Sequence, residues 1–255
     1  MNKDNKLILK VLVGSRAHGI HNEDSDYDYR GVFVLPTAEI LSLKNVGGKY
    51  KANDWLEGDT DQTTYEIGHF LKLATKCNPS ILECFKAPIQ PVDYEFLDAE
   101  NNKKLSIWHQ YGKELTDLFP YVWNPNDAFN AFTGYSANQR TKMVKDDTPS
   151  DKVSKYACAY IRTLHNLESL LRTGDFTLDV TYDEDLYKRL RDIRNGEFSV
   201  GSIIDEAKER VERCEKLRDE CTHEPNIEKV NDFLLKVRIK FLTGVIDKPA
   251  NMEFG

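Results

Sequence analysis

LVGSRAHGIHNEDSDYDYRGVFV, Leu12 to Val34, sets two apolar strands around a polar loop, and the rest of the chain is read outward from it. Ile8 to Val13 is apolar and β-branched enough for a buried strand, predicted over Leu7 to Val13. Gly14 allows a tight exit from it. A short helix is expected over Ser15 to Ile20, so the Ser15 hydroxyl and the first free backbone N–H groups can face an anion. Arg16 adds a fixed positive charge suited to phosphate oxygens. A second strand is predicted over Asp26 to Leu35, stopped by Pro36. On such a strand Asp26 and Asp28 project from one face. Two carboxylates sharing a face repel one another, and a divalent cation removes the conflict; hard oxygen ligands suit Mg²⁺ or Mn²⁺ carrying a nucleoside triphosphate. Arg30 shares that face and either approaches substrate or pairs with Asp28.

Gly14-Ser15-Arg16-Ala17-His18-Gly19, followed by Ser25-Asp26-Tyr27-Asp28-Tyr29-Arg30-Gly31-Val32, resembles the signature of DNA polymerase β-superfamily nucleotidyltransferases, above all their stand-alone group in bacteria and phages. YEIGHFLKLATKCNPSILECF resembles the same group, as do, less specifically, the helix beginning at Asp151 and the runs LRTGDFTL and LRDIRNGEFS. The resemblance implies an α+β fold, a nucleotidyltransferase head of mixed sheet and helices followed by an all-helical C-terminal domain. It also implies a third carboxylate from a later strand. Asp61 is the choice, since it leads into the β-prone Thr63-Thr64-Tyr65; Glu66 and Asp59 are the alternatives. Asp26, Asp28 and Asp61 then hold the metal and carry the catalysis. Gly14, Ser15, Arg16 and Arg30 bind the nucleotide. The implied reaction moves a nucleoside monophosphate from an NTP to an acceptor hydroxyl and releases pyrophosphate. The acceptor is an RNA or tRNA 3′ end, with a protein acceptor of antitoxin type or a non-catalytic nucleotide-binding module as alternatives.

The 255 residues carry a net charge of −7, which argues against a generally basic nucleic-acid coat but leaves room for a local basic groove. With 40% hydrophobic and 11% aromatic residues, the chain reads as globular. The polar start MNKDNK leads straight into a strand, and no apolar run approaches the roughly 18 residues of a membrane span. No signal peptide and no membrane are expected. The five cysteines are scattered without zinc spacing, so free thiols in a reducing cytoplasm are expected. His18 and His21 are read as local structure rather than metal ligands.

Helices are predicted over Glu66 to Lys76, from Pro79 onward, over Asn102 to Phe119, and over Asp127 to Lys145 with Asn126 as cap. Further helices are predicted over Asp151 to Arg172, Ile203 to Cys221 and Ile227 to Leu242. The turn-rich PYVWNPND suggests a boundary, with a nucleotidyltransferase domain over residues 1–122 and a helical domain over 123–255. Thr37 to Val46 has a mixed signal. Glu83 is read as part of a solvated helix face. Lys155 and Arg162, two turns apart on one side of their helix, are read as surface charges that could alternatively reach phosphate.

Overall fold

In the computed structural model, residues 6–41, 52–57, 60–90, 94–97, 103–105 and 107–246 are described. In chain order the elements are β1 (Lys6–Val13), α1 (Gly14–Ala17), β2 (Asp28–Val34), α2 (Thr37–Leu41), β3 (Ala52–Glu57), β4 (Thr60–Glu66), α3 (Ile67–Ala74) and α4 (Pro79–Lys86). There follow β5 (Ile89–Gln90), β6 (Tyr94–Leu97), β7 (Lys103–Leu105), α5 (Ile107–Thr116) and α6 (Phe119–Val122). The remainder is helical: α7 (Pro125–Met143), α8 (Ser150–Thr173), a 3₁₀ turn at Val180–Tyr182, α9 (Glu184–Arg194), α10 (Val200–Glu220) and α11 (Ile227–Ile246). This is the α+β architecture expected, a mixed sheet with helices followed by a helical region.

Five strands form the sheet in the order β3-β4-β2-β1-β5. β1 and β2 are antiparallel, β2 and β4 parallel, and β3 and β4 an antiparallel hairpin. The parallel pairing sets Asp28 opposite Asp61 and Arg30 opposite Thr63. A separate two-stranded ribbon pairs β6 with β7, and β7 lies where the sequence reads as the start of a helix, so the helix begins only at Ile107.

Local chemistry explains most boundaries. α3 starts at Glu66, whose carboxylate accepts the Gly68 N–H at 2.8 Å, the N-terminal role that competes with any catalytic one. α4 starts at Asn78, which accepts the Ile81 N–H with Pro79 in the first turn. α8 ends at Gly174 in the left-handed conformation, φ 80°. The cap of α7 is Asn124, not Asn126: its side chain accepts the Asp127 N–H, and Pro125 occupies the first turn, where a missing N–H costs nothing. β2 begins at Asp28 rather than Asp26, because Arg16 and an Asn22–Ser25 turn hold the preceding residues as a loop. Thr37–Leu41 resolves as helix; the rest of that mixed segment, to Val46, lies outside the described residues.

The main hydrophobic cluster joins Ile8, Val11 and Val32 of the sheet to Phe70, Leu82 and Phe85 of α3 and α4. It continues into Trp123, Phe132, Leu167 and Leu170, and on to Val230, Phe233 and Val237 of α11. A second cluster, built on Ile161, Leu164, Leu190 and Ile203, takes in Ile20 from the loop after α1. The first system thus ties the sheet to the helices behind it, and the second ties the loop after α1 to α8, α9 and α10. No helix among the described residues is long and apolar enough to cross a membrane. All five cysteines are free, and burial raises the thiol pKa of Cys77 and Cys84 to about 11 each and of Cys214 to about 12, which makes them poor nucleophiles.

Candidate functional site

Two adjoining hollows, about 360 and 520 Å³, open where the end of β1 and the start of β2 face α8 and α9. They share Ser15 and Asp28 on the sheet side and Lys155 and Arg194 on the helical side. The first also reaches Gly14, Arg30, Thr63, Glu83 and Arg162; the second reaches Asn22, Asp24, Ser25, Asp26 and Asp151.

The sheet wall is built by its glycines. Gly14 has φ +72°, and a Cβ there would run into the Asp28 carboxylate, so only glycine lets the strand exit so close to the acid. Gly19 has φ +70°, and its Cβ would meet Asp179 Oδ1 at 2.6 Å and Thr181 Cγ2 at 2.8 Å. The 3₁₀ turn packs directly on this loop, and its Val180 N–H donates to the His18 carbonyl at 3.2 Å. The spacing of the two glycines therefore serves a tertiary contact as well as a local turn.

Of the residues singled out from sequence, Gly14, Ser15, Asp28 and Arg30 line the first hollow, and Asp26 is exposed in the second beside Asp28. Asp26 lies before the strand, so the two acids meet through the curl of the loop rather than by strand alternation. The Asp61 backbone is in register beside Asp28; Asp59 lies outside the described residues. Glu66 is occupied elsewhere, accepting the Gly68 N–H and pairing with Arg238 at 2.5 Å. Arg16 turns to the loop, its Nε and Nη2 donating to the Ser25 carbonyl at 3.0 and 2.7 Å and its guanidinium lying 3.9 Å over the Tyr27 ring. Arg30 donates from Nη1 to the Ser80 carbonyl at 2.7 Å, which ties β2 to α4.

The helical wall corrects two sequence expectations. Glu83 does not lie on a solvated face and Arg162 is not a surface charge: they form a 2.6 Å ion pair between α4 and α8, with side chains 12% and 10% exposed. Burial works against the Glu83 charge, but Arg162, with His18 and Arg30 near, outweighs it and holds the carboxyl below its ordinary value. His18 is buried beside them, Nδ1 3.2 Å from the Leu178 carbonyl and 3.4 Å from Arg162 Nη1. A carbonyl and a guanidinium cannot both bond one ring nitrogen of fixed tautomer; donation from Nδ1–H to Leu178 satisfies the buried carbonyl. Burial first, and Arg162 second, lower the His18 pKa to about 4. His18 is thus neutral local structure, as its sequence context suggests. The Glu83 signal was present: Ile81-Leu82-Glu83-Cys84-Phe85 sets a lone acid among four apolar residues, and Lys86, three residues on, is taken by Asp175.

Among the described residues no group of three or more His, Cys, Asp or Glu gathers as a metal site. Asp26 and Asp28, with the serine and asparagine oxygens of the second hollow, form an all-oxygen donor set. That set fits Mg²⁺, which takes one or two carboxylates and completes its shell with water and substrate phosphate.

This sheet, with Gly-Ser before one acid-bearing strand and a cleft against a helical region, defines a polymerase β-like nucleotidyltransferase class. The chain belongs to the RlaP family, described as the RNA repair pathway DNA polymerase beta family, which it matches over residues 1–195. It is also similar to uncharacterized protein YcgL of Bacillus subtilis (strain 168), 29% identical over 141 residues. That alignment covers 55% of this chain and 51% of YcgL, so the chain spans about half the length of the curated relative it matches.

Proposed function

We propose that the chain is a metal-dependent nucleotidyltransferase moving a nucleoside monophosphate from an NTP to a hydroxyl at an RNA end, with release of pyrophosphate. One observation carries this reading: Ser15 and Asp28 face Lys155 and Arg194 across a single cleft. An acidic wall and a basic wall are what a metal-bound triphosphate and a nucleic-acid backbone require together. The RNA repair description of the family supports RNA over protein as acceptor. So does the gathering of Lys155, Arg162 and Arg194 at the first hollow of an otherwise acidic chain.

Asp26, Asp28 and, beside them, Asp61 would hold Mg²⁺ or Mn²⁺. Bound there, the ion would supply charge neutralisation on the phosphates and a lower pKa for the acceptor hydroxyl. Ser15 donates its hydroxyl to the triphosphate, close to the Asp28 carboxylate that Gly14 lets in. Lys155 and Arg194 orient phosphate oxygens from the helical side. Arg16 acts indirectly, by stapling the loop that carries Asp26. Arg162, clamped by Glu83, keeps α8 at a fixed distance from α4. The five free thiols, four of them buried, agree with a cytoplasmic setting.

The test is incubation with each labelled NTP, Mg²⁺ or Mn²⁺, and a total RNA pool, beside an Asp26→Ala/Asp28→Ala variant. Label entering RNA only with the acids intact is the expected result. Label entering protein would move the acceptor to a polypeptide. Absence of both transfer and metal-dependent NTP binding would end the proposal.

A further inference from the structure

The ion pair that holds α4 to α8 uses only part of its hydrogen-bonding capacity. Arg162 Nη1 donates to Glu83 Oε1 at 2.6 Å and lies 3.4 Å from His18 Nδ1. Among the described residues, Arg162 Nε and Nη2 and Glu83 Oε2 have no hydrogen-bond partner. Arg162 is 8% exposed, yet none of these three atoms is sealed from solvent. Both residues line the first hollow, so their remaining surface opens there. The pair therefore offers donors and an acceptor to whatever enters.

The rest of the cleft narrows down what enters. The two hollows meet at Ser15, Asp28, Lys155 and Arg194, where the triphosphate is assigned. From that junction the nucleoside must extend into one hollow or the other. The second is lined by Asp24, Asp26, Asp28 and Asp151, and its described lining holds no apolar or aromatic side chain. The first, about 360 Å³, sets Val13, Ile20, Tyr29, Tyr135 and Ala159 around the Glu83–Arg162 pair. Apolar and aromatic walls with a few fixed polar groups hold and orient a flat, uncharged ring. A phosphate tail fits this hollow less well. Arg30 and Arg162 would attract it, but its oxygens would also meet the Glu83 carboxylate, acceptor against acceptor. A base edge carries donors and acceptors side by side, and so can engage both members of the pair.

We propose that the Glu83–Arg162 pair reads the base of the incoming nucleotide. Glu83 Oε2 accepts an N–H from the base edge, and the open Arg162 N–H groups donate to its carbonyl or ring nitrogen. The pair thereby sets which NTP the enzyme prefers. This rests on the nucleotidyltransferase reading above.

Glu83→Gln gives the test a direction. Only an oxygen can accept the Arg162 Nη1–H, so the new amide keeps its oxygen on Arg162 and turns its NH₂ to the hollow. The acceptor facing the base becomes a donor. The full chain, with Mg²⁺, is titrated calorimetrically with ATP, GTP, CTP, UTP and inorganic triphosphate, which has the phosphates without a base. Wild type is expected to bind the four NTPs unequally. In Glu83→Gln the preferred base should lose about tenfold or more relative to the others, because a site built for one hydrogen-bond pattern rejects its inverse. Any effect of the lost charge falls on all five probes alike and cancels in these ratios. Arg162→Lys keeps the ion pair but loses the planar fork, so it should narrow the spread among NTPs. It carries the test where Glu83→Gln melts too early to titrate; thermal melting of each variant verifies folding. Unchanged ratios in both variants, or equal wild-type affinity for the four NTPs, overturn base reading and leave the nucleotidyltransferase reading standing. A loss shared equally by the NTPs and inorganic triphosphate overturns it too, and makes the pair a phosphate ligand. If wild type binds no NTP with Mg²⁺, the nucleotidyltransferase reading falls and base reading with it.

Discussion

The two walls of the cleft are built in opposite ways. The sheet wall takes Gly14, Ser15, Asp26, Asp28 and Arg30 from one short stretch, and its acids open toward solvent. The helical wall takes Lys155, Arg162 and Arg194 from two different helices, and its firmest member, Arg162, is buried against an acid from a third. Chemistry on the sheet wall is local in sequence because strand-turn-strand geometry places it. On the helical wall, packing places it, so its members are far apart in the chain. The contrast extends to energetics. Exposed pairs such as Lys145–Asp147, both partners about two-thirds open, contribute about 1 kcal/mol at most, whereas breaking a buried pair on one side leaves a charge without solvent.

The sharpest way to break the comparison is at the sheet wall. Asp28→Asn keeps size and shape, and is expected to lower nucleotide transfer about ten-thousandfold while leaving the melting curve close to wild type. Transfer at wild-type level in that variant, measured with labelled NTP, would deny the sheet wall its chemical role. On the helical side the loss should fall on stability. Glu83→Ala strands Arg162 and is expected to cost about 3–5 kcal/mol in urea unfolding. The double variant Glu83→Leu/Arg162→Met should recover most of that, because no buried charge remains. Lys145→Ala should change stability by less than about 0.5 kcal/mol.

A pH series probes the buried centre between the walls. Folded, His18 stays neutral down to about pH 4, while in the unfolded chain it takes a proton near its ordinary value of 6.5. Between those values the unfolded state binds more protons, so stability is complete above about pH 6.5 and falls as pH drops toward 4. The loss is on the order of 3 kcal/mol. Glu83, held below its ordinary 4.5, adds its own loss only at lower pH. Urea unfolding at successive pH values should show a flatter slope over this window in His18→Asn. On binding, a modest effect is expected at Lys155, exposed on α8. Lys155→Ala should weaken RNA binding severalfold, alike for all sequences, and reduce the salt dependence by about one unit of slope.

Strand β1, the Gly-Ser exit and the presence of Asp28 on the following strand are legible in the residues, because each depends on neighbours a few positions away. Three of the helices from Ser150 onward, α8, α10 and α11, are legible for the same reason: apolar residues repeat at helical spacing, and Gly174 closes the longest of them, while α9 is not predicted as a helix. What escaped depended on contacts between distant segments. Arg162 carries no mark of burial unless Glu83 is known to face it. Gly19 gives no sign that the 3₁₀ turn lies against it. Arg16 reads as a phosphate ligand until the Ser25 carbonyl and the Tyr27 ring are seen to occupy it. The predicted start of β2 is two residues early, because loop hydrogen bonds outcompete the ladder at Asp26.

The family match stops at residue 195, yet the hydrophobic cluster beneath the sheet does not. Cys214, Val230, Phe233, Val237 and Phe241, all past that point, share it with Ile8, Val32 and Phe70. Arg238 clasps Glu66 at the start of α3, and its carbonyl takes the Thr37 hydroxyl. A polypeptide cut after residue 195 would retain every motif by which relatives are recognised and would lack one side of its own interior. The matched segment and the hydrophobic interior therefore have different lengths. The last two helices complete that interior through their apolar stripe and the arginine that reaches back to the sheet.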